Sequence, residues 1–399
     1  MKIGYISTYP PTRCGIAEYT RFLVEAIYSI SDYVKVYVFS DTYGKPIYPY
    51  IDGNCIVIPS FNPRAEGYYK ELIASIDDVE DLDIVHIQHE YGIFHGDKCL
   101  IKLMRGLKKR NIPISITLHT VLHHNKGRRY VKLQREIAEN ADVVIVHSLL
   151  QEYELRAQGV DLRRIVRIPH GTKLLSDKVK ADKEELGIPS DKAVLLTFGF
   201  LRRDKGLEDA IKVFRLLLRE HEDVHLVIAG APQTKEDILY LSKLTKIVMK
   251  GLPTKSYTMI RRYLPLEDLM KILSIADVIL MLYKERPDHY SVSGVLHLAM
   301  GAGKPIVCSR SSRLIEYTEL VPELVYYGRG IGELKILVER ALYDEELREK
   351  ATERIMEYAK KTSWERVSER HLELYAELME RRGLEIDFTL SAMSTLWRL

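Results

Sequence analysis

Short β-branched and aliphatic runs alternate along the chain with stretches whose apolar positions recur at helical spacing. Lys2 to Ser7 reads as a strand, Ile16 to Tyr28 as an amphipathic helix and Val34 to Ser40 as a strand again, and Ile84 to His89, Ile114 to His119 and Val143 to His147 follow as further strands. Strands separated by helices need crossover connections, so the pattern predicts a parallel α/β sheet. A charged stretch, Leu174 to Leu186, interrupts the rhythm and predicts a linker. The scheme then restarts with strand Val194 to Phe198, helix Leu207 to Arg219, strand His225 to Ala229, helix Leu266 to Ala276, strand Val278 to Leu282, helix Val295 to Gly301 and strand Pro305 to Cys308. A second doubly wound domain is predicted. The last stretch, Glu333 to Tyr343 and Glu345 to Arg381, reads as helix, with Trp364 and Tyr375 placed to pack back on the first half. The expected divisions are residues 1–172, 173–365 and a helical tail over 366–399. Two open α/β sheets facing a central cleft would bind ligands at the carboxyl ends of their strands, which directs attention to the loops there.

Composition narrows the field. The 399 residues suffice for two domains with full cores. The 59 basic and 56 acidic side chains leave a net charge of +3, too balanced for a protein whose main business is coating nucleic acid or an anionic membrane. Four cysteines, Cys14, Cys55, Cys99 and Cys308, form no CxxC pair and no regular cadence, which argues against a zinc ribbon or a disulfide framework and for a reducing, cytoplasmic setting. The chain begins with a strand rather than an apolar signal core, and its apolar runs fall well short of the ~20 residues that span a bilayer. Five Gln and five Asn beside abundant Glu, Lys and Arg lean toward a heat-adapted protein.

The first strand–helix loop, Tyr9 to Tyr19, carries Gly15 where backbone amides approach an anion at a helix start, or where a tight turn needs a residue without Cβ. Two later strands end in Gln88-His89-Glu90-Tyr91 and Leu118-His119-Thr120, convergent donors and acceptors of the kind that sugar hydroxyls and phosphates require. His86, inside its strand, reads as a hydrogen-bonded packing residue. No HExxH or two-His-one-carboxylate spacing accompanies His123 and His124, so no metal is expected. In the second half, Gly199 opens a loop holding Arg202, Arg203, Lys205 and Gly206 between a strand and a helix, a plausible diphosphate cradle. Ser293, Gly294 and Val295 start a further helix whose free amides offer a second anion site, Ser293 reading as its N-cap.

Taken in order and spacing, these residues resemble the retaining GT-B glycosyltransferases of family 4, which use nucleotide sugars. The resemblance runs over nearly the whole chain. It rests on the first glycine loop, Thr117-Leu118-His119-Thr120, the segment Ala141 to Ser148, Arg167-Ile168-Pro169-His170-Gly171, Gly199 to Gly206, Ile228-Ala229-Gly230, Ala276-Asp277-Val278 and the segment Ala299 to Pro305. It implies transfer of a hexosyl group, of mannose or glucose type, from a nucleoside diphosphate sugar with retention of configuration and without a metal cofactor. Lys205 with Arg202 or Arg203 would hold the diphosphate, His119 would lie near the transferred sugar, and Gly15 would sit under the phosphates or the acceptor. Gly199, Ser293, Gly294, Val295 and His297 would contact the donor, and Gln88, His89 and Glu90 would face the acceptor.

Two departures accompany the resemblance. The family's paired glutamates, with seven residues between them, fall on Tyr290 and Leu298, and the arginine that usually follows the first glycine of the cation loop falls on Phe200. His297, Ser293 or Asp288 would then serve in place of the carboxylates, and Arg202 or Arg203 in place of the arginine. A non-catalytic binder of a nucleotide sugar or glycan, and a sugar-nucleotide epimerase of the same fold, stay open as alternatives. The acceptor is left as a glycan, a lipid or a small molecule. Basic runs at Lys102, Arg105, Lys108, Lys109 and Arg110, and from Lys126 to Arg135, are solvated faces or a contact with a phosphorylated acceptor or the inner face of an anionic membrane.

Overall fold

The computed structural model describes residues 1–43, 48–94, 97–176, 178–179, 181–381 and 383. The chain divides into two compact units. One comprises Met1–Gly171, Pro287–Val292 and the stretch from Thr362, and the other comprises Thr172–Arg286 and Ser293–Lys361. The end of the expected tail, beyond residue 383, lies outside the described residues.

The first unit is built on an eight-stranded sheet with strands in the order Tyr50–Asp52, Cys55–Phe61, Lys35–Asp41, Lys2–Ser7, Ile84–His89, Ile114–Leu118, Val143–Val146 and Ile165–Arg167. All neighbours run parallel except the edge hairpin of Tyr50–Asp52 with Cys55–Phe61. The central strands are buried on both faces, as in a parallel sheet covered on each side. One face packs Ile6, Ile87 and Ile116 against Leu103 and Leu107 of helix Asp97–Lys109 and Leu133 and Ile137 of helix Arg128–Asn140. Helix Gly15–Ile30 packs against helix Trp364–Arg381 from the far end of the chain. Trp364 stands edge-on to Tyr19 at 5.0 Å, and a Cβ on Gly171 would lie 2.3 Å from its indole, so only glycine fits there. Below it, Tyr375 bonds His86 Nδ1 and, at 2.9 Å, Tyr5, while His86 Nε2 meets Thr117 Oγ1 at 2.8 Å. His86 is thus the bonded packing residue that its place in the strand predicts.

The second unit holds a wholly parallel six-stranded sheet in the order Tyr257–Ile260, Val224–Ala229, Ala193–Phe198, Val278–Met281, Ile306–Ser309 and Val325–Tyr326. This is a doubly wound sheet whose chain order reverses between Ala193–Phe198 and Val278–Met281. The crevice beyond the carboxyl ends of those two strands is where such sheets bind ligands.

One local expectation needs correction, and two elements are finer than the pattern predicts. The stretch over 174–186 is no free linker: Leu175, Val179 and Leu186 pack on the core of the second unit, and Leu175 N donates to Gly301 O at 2.8 Å. The stretch from Glu345 to Arg381, read as mostly helix, forms two helices, Glu345–Lys361 and Trp364–Arg381. Ser363 caps the second piece, its hydroxyl accepting from Arg366 N. His289–Ser291, between the predicted strand Val278 to Leu282 and helix Val295 to Gly301, is a short strand antiparallel to Thr120–Leu122, and this pairing carries Pro287–Val292 into the first unit.

Candidate functional site

At the reversal point of the second unit, the loop after Ala193–Phe198 runs through Gly199 to a single 3-10 turn, Arg203–Lys205, and then Gly206. Gly206 has φ +68°, and an added Cβ would fall 1.8 Å from the carbonyl oxygen of Leu282, so the loop is clamped against the end of the neighbouring strand. That close approach brings Lys205 over the ring of Tyr283, with Nζ 3.7 Å from the ring centroid. Arg313, from the turn Ser312–Leu314, lies over the same ring at 4.7 Å. Tyr283 OH in turn meets Ser293 Oγ at 3.1 Å, which ties the ring to the start of helix Gly294–Gly301. Gly199 is part of the same cluster, since a Cβ there would touch Val295 at 3.2 Å.

Charge in this cluster is one-sided. Asp204 accepts from Arg202 at 3.0 Å and Arg313 at 2.7 Å, and Arg286 stands 3.4 Å away. Burial would raise its carboxyl, but Arg202, Arg313 and Arg286 together hold it down at about 2. One carboxylate therefore serves three guanidinium groups, and among the described residues no carboxylate is ion-paired with Lys205. Burial first, then Arg313 and Arg202, push the Lys205 ammonium well below its usual range. A group in that position gains when an anion arrives. Arg313 is buried, bonding Asp204 and Lys284 O, and is the residue the sequence reading misses. Nothing in its local sequence announces it, because its role comes from a turn on the far side of the switch point.

The other expected donor residues of this unit are placed differently. Arg202 pairs with Asp204 and reaches Gln233 at 3.3 Å. Arg203 is exposed and lies over Tyr240. Ser293 is the N-cap of its helix, yet its hydroxyl faces Tyr283 instead of the first helical amides. His297 points inward, fully buried, with Nδ1 2.7 Å from Thr172 Oγ1 and Nε2 3.0 Å from Glu316 Oε2.

In the first unit, the reversal of chain order lies between Lys2–Ser7 and Ile84–His89, and the expected residues gather at the carboxyl ends of the neighbouring strands. Gly15 begins its helix behind Cys14, whose sulfur accepts from Ala17 N; Gly15 has open space where a Cβ would stand. Nothing in that geometry demands a residue without Cβ, so the tight-turn reading gets no support from it. Gln88 and His119 meet at 2.8 Å, and His119 Nδ1 faces His147 Nε2 at 3.2 Å. Tyr19 packs edge-on against His119 at 4.7 Å. Burial first, then the neighbouring histidines His147 and His170, keep His119 neutral by pushing its pKa well down. His89 is buried between Tyr91 and Phe94. Glu90 accepts from Thr120 Oγ1 at 2.7 Å, and burial raises its carboxyl. Asp288, placed in this unit, pairs with Lys126 and His289. His123 and His124 surround the Glu154 carboxylate, which also accepts from Gln158 and from His124 N.

Residues 15–174 match the family described as Glycosyltransferase Family 4, and residues 178–361 match Glycosyl transferases group 1. The chain belongs to these GT-B glycosyltransferases, a retaining hexosyltransferase family that uses nucleotide sugars. It is 26% identical over 260 residues to the alpha-monoglucosyldiacylglycerol synthase of Streptococcus pneumoniae, a match spanning 58% of this chain and 56% of that protein. An uncharacterized glycosyltransferase of Methanocaldococcus jannaschii is 27% identical over 417 aligned positions, 96% of this chain and 100% of the other. Among solved structures, Anabaena HepE in complex with UDP and glucose superposes with a TM-score of 0.70 at 16% identity, covering 94% of this chain and 100% of that one. Among the described residues no helix is long and apolar enough to cross a membrane.

Proposed function

We propose that this protein transfers a glucose- or mannose-type hexosyl group from a nucleoside diphosphate sugar, with UDP-glucose the first donor to try, to a hydroxyl of a lipid, glycan or small molecule. The observation that carries the reading is the Lys205 ammonium, held over Tyr283 in a cluster where one carboxylate serves three arginines. A diphosphate leaving group supplies the missing negative charge, and preorganised cations stabilise it most as the glycosidic bond breaks. Lys205 and Arg202 take this role, Arg313 supports it, and Arg203 meets the phosphates from the exposed side of the loop. Gly199, Gly294 and Val295 bring backbone amides to the donor, Ser293 positions Tyr283, and buried His297 fixes the helix that carries them. In the first unit, neutral His119, oriented by Gln88 and His147, faces the sugar. Glu90 and His89 shape the acceptor side, and Gly15 places the first helix start. The chemistry asks for no metal, because the cations neutralise the leaving group.

The HepE complex with UDP and glucose and the glucosyl-transferring pneumococcal relative support the donor choice. Exposed Lys102, Arg105, Lys109, Arg128 and Lys132 favour an acceptor that carries phosphate or sits in an anionic surface. A second reading, a non-catalytic binder, draws on Tyr290 and Leu298 at the positions of the family's paired glutamates. A thermal-shift series with UDP, GDP, ADP and their hexose conjugates separates the possibilities, since a ligand of the native state raises its stability. The expected result is a shift with UDP and UDP-glucose that Lys205→Ala abolishes, together with slow hydrolysis of the sugar nucleotide. Binding without hydrolysis or transfer would favour the second reading, and no shift with any nucleotide would remove both.

A further inference from the structure

Helix Lys235–Gly251 has one face that nothing in the second unit covers. Tyr240, Leu241, Leu244 and Val248 are buried against the sheet, as a helix of 3.6 residues per turn should bury one stripe. The opposite face is not simply polar. Ile238, Leu239 and Met249 stand 56%, 67% and 68% exposed there, and Ile247 is exposed at its margin. Lys235, Lys243, Lys246 and Lys250 are interleaved with them, all exposed, and the helix's two acids, Glu236 and Asp237, fall in its first turn. Asp237 is held there by the capping box with Thr234. The outward face is therefore apolar and basic together.

We propose that this face docks on an anionic lipid bilayer. A helix lying in the headgroup layer needs large apolar side chains to enter the acyl boundary and lysines long enough to reach phosphates beside them. This face supplies both. A second copy is a poor occupant, because an isologous contact would set the lysine row against itself. The basic faces of the first unit differ in kind. On helices Asp97–Lys109 and Arg128–Asn140, Lys102, Arg105, Lys109, Arg128 and Lys132 are exposed, but none of the large exposed hydrophobics among the described residues lies on either helix. Those helices can attract anions, whereas the 235–251 helix can also insert. Its near end touches the cation loop, through Arg202 with Gln233 and Arg203 with Tyr240, so docking would hold that loop close to the lipid surface.

The test is co-sedimentation of the full chain with vesicles of phosphatidylglycerol and phosphatidylcholine in equal parts, against phosphatidylcholine alone. The triple variant Ile238→Gln, Leu239→Gln, Met249→Gln removes the apolar side chains and keeps the charge. The control Lys102→Gln, Arg105→Gln, Lys109→Gln removes charge from the first unit. Expected is binding to the anionic vesicles that the triple variant weakens at least about tenfold and the control leaves nearly intact. A Leu239→Trp variant should show blue-shifted emission that brominated lipid quenches. Hydrolysis of the sugar nucleotide by the triple variant should match the parent, which shows that the fold and donor site are whole. Absence of vesicle binding, loss in the control alone, unquenched Leu239→Trp emission, or a dimer in solution that the triple variant dissociates would each overturn the proposal.

Discussion

The Lys205 ammonium sits 3.7 Å from the centre of the Tyr283 ring. The ring face offers it partial negative charge but accepts no proton-sharing bond of carboxylate strength. Burial and the guanidinium groups of Arg313 and Arg202 disfavour its charged form, which lowers its pKa. A diphosphate reverses that balance.

Donor binding should therefore take up a proton. Above the depressed pKa of free Lys205 and below that of the complex, UDP affinity should fall by up to about tenfold per pH unit, since each pKa unit corresponds to about 1.4 kcal/mol. Below the depressed value it should be flat. Titration calorimetry of UDP binding in two buffers of different ionisation heat reads the uptake directly, and Lys205→Met should abolish it. Proton release on binding would contradict the assignment.

Arg313 should matter both to the fold and to the donor site. Arg313→Gln removes the bonds to Asp204 and Lys284 O but leaves Asp204 with Arg202 and Arg286. Breaking a buried pair from one side costs about 3 to 5 kcal/mol, and the two remaining partners should hold the loss near the low end. Urea unfolding measures that loss. The same variant should weaken UDP binding, and Arg313→Lys should recover part of the affinity and little of the two-pronged geometry.

The hydrogen-bond order around His119 can be worked out from its neighbours. His147 Nδ1 lies 2.9 Å from Ile168 O, so it carries the proton, and its Nε2 accepts from His119 Nδ1. Neutral His119 then has a bare Nε2, which needs a donor, and the buried Gln88 Nε2 has no other partner among the described residues. The amide nitrogen of Gln88 thus belongs on His119. Nitrogen-15 NMR should find His119 protonated at Nδ1. His119→Ala should lower kcat by about a hundredfold if the ring takes part in the transition state, with the UDP-induced thermal shift kept.

Acid should weaken the first unit. His371 is fully buried, with Nδ1 bonded to Val367 O, and burial pushes its pKa down to about 4 against the ordinary 6.5. Below 6.5 the unfolded chain binds the proton that the folded chain refuses. Stability present above pH 6.5 is then lost progressively down to pH 4, a loss on the order of 3 kcal/mol for this one group. Urea midpoints measured across that window should fall with pH, and His371→Phe should flatten the slope.

Much of this architecture is legible in the sequence because covered parallel strands are short apolar runs and their helices keep a clear period. Lys2–Ser7, Ile84–His89, Val278–Met281 and their companions follow that rule. Helix Lys235–Gly251 does not, since Ile238, Leu239, Ile247 and Met249 on its outer face blur the stripe that Tyr240, Leu241, Leu244 and Val248 draw inside. His289–Ser291 is too short and polar to signal a strand, and exists because Thr120–Leu122 offers it an edge. The cation loop was readable from Arg202, Lys205 and Gly206. Arg313 was not, because only the strand order carries its turn to Tyr283.

Helix Trp364–Arg381 also sets the order in which the protein becomes whole during synthesis. The first unit needs Trp364 against Tyr19 and Gly171, and Tyr375 against His86, yet those residues leave the ribosome after the whole of the second unit. Residues 1–171 wait with an apolar helix face and a buried-histidine cluster uncovered until helix Trp364–Arg381 has been made. The second unit, starting later, has its last strand, Val325–Tyr326, and its last helix, Glu345–Lys361, made before helix Trp364–Arg381. A protein whose first domain is completed last exposes its nascent half for the duration of translation, which makes that half the natural client of a chaperone.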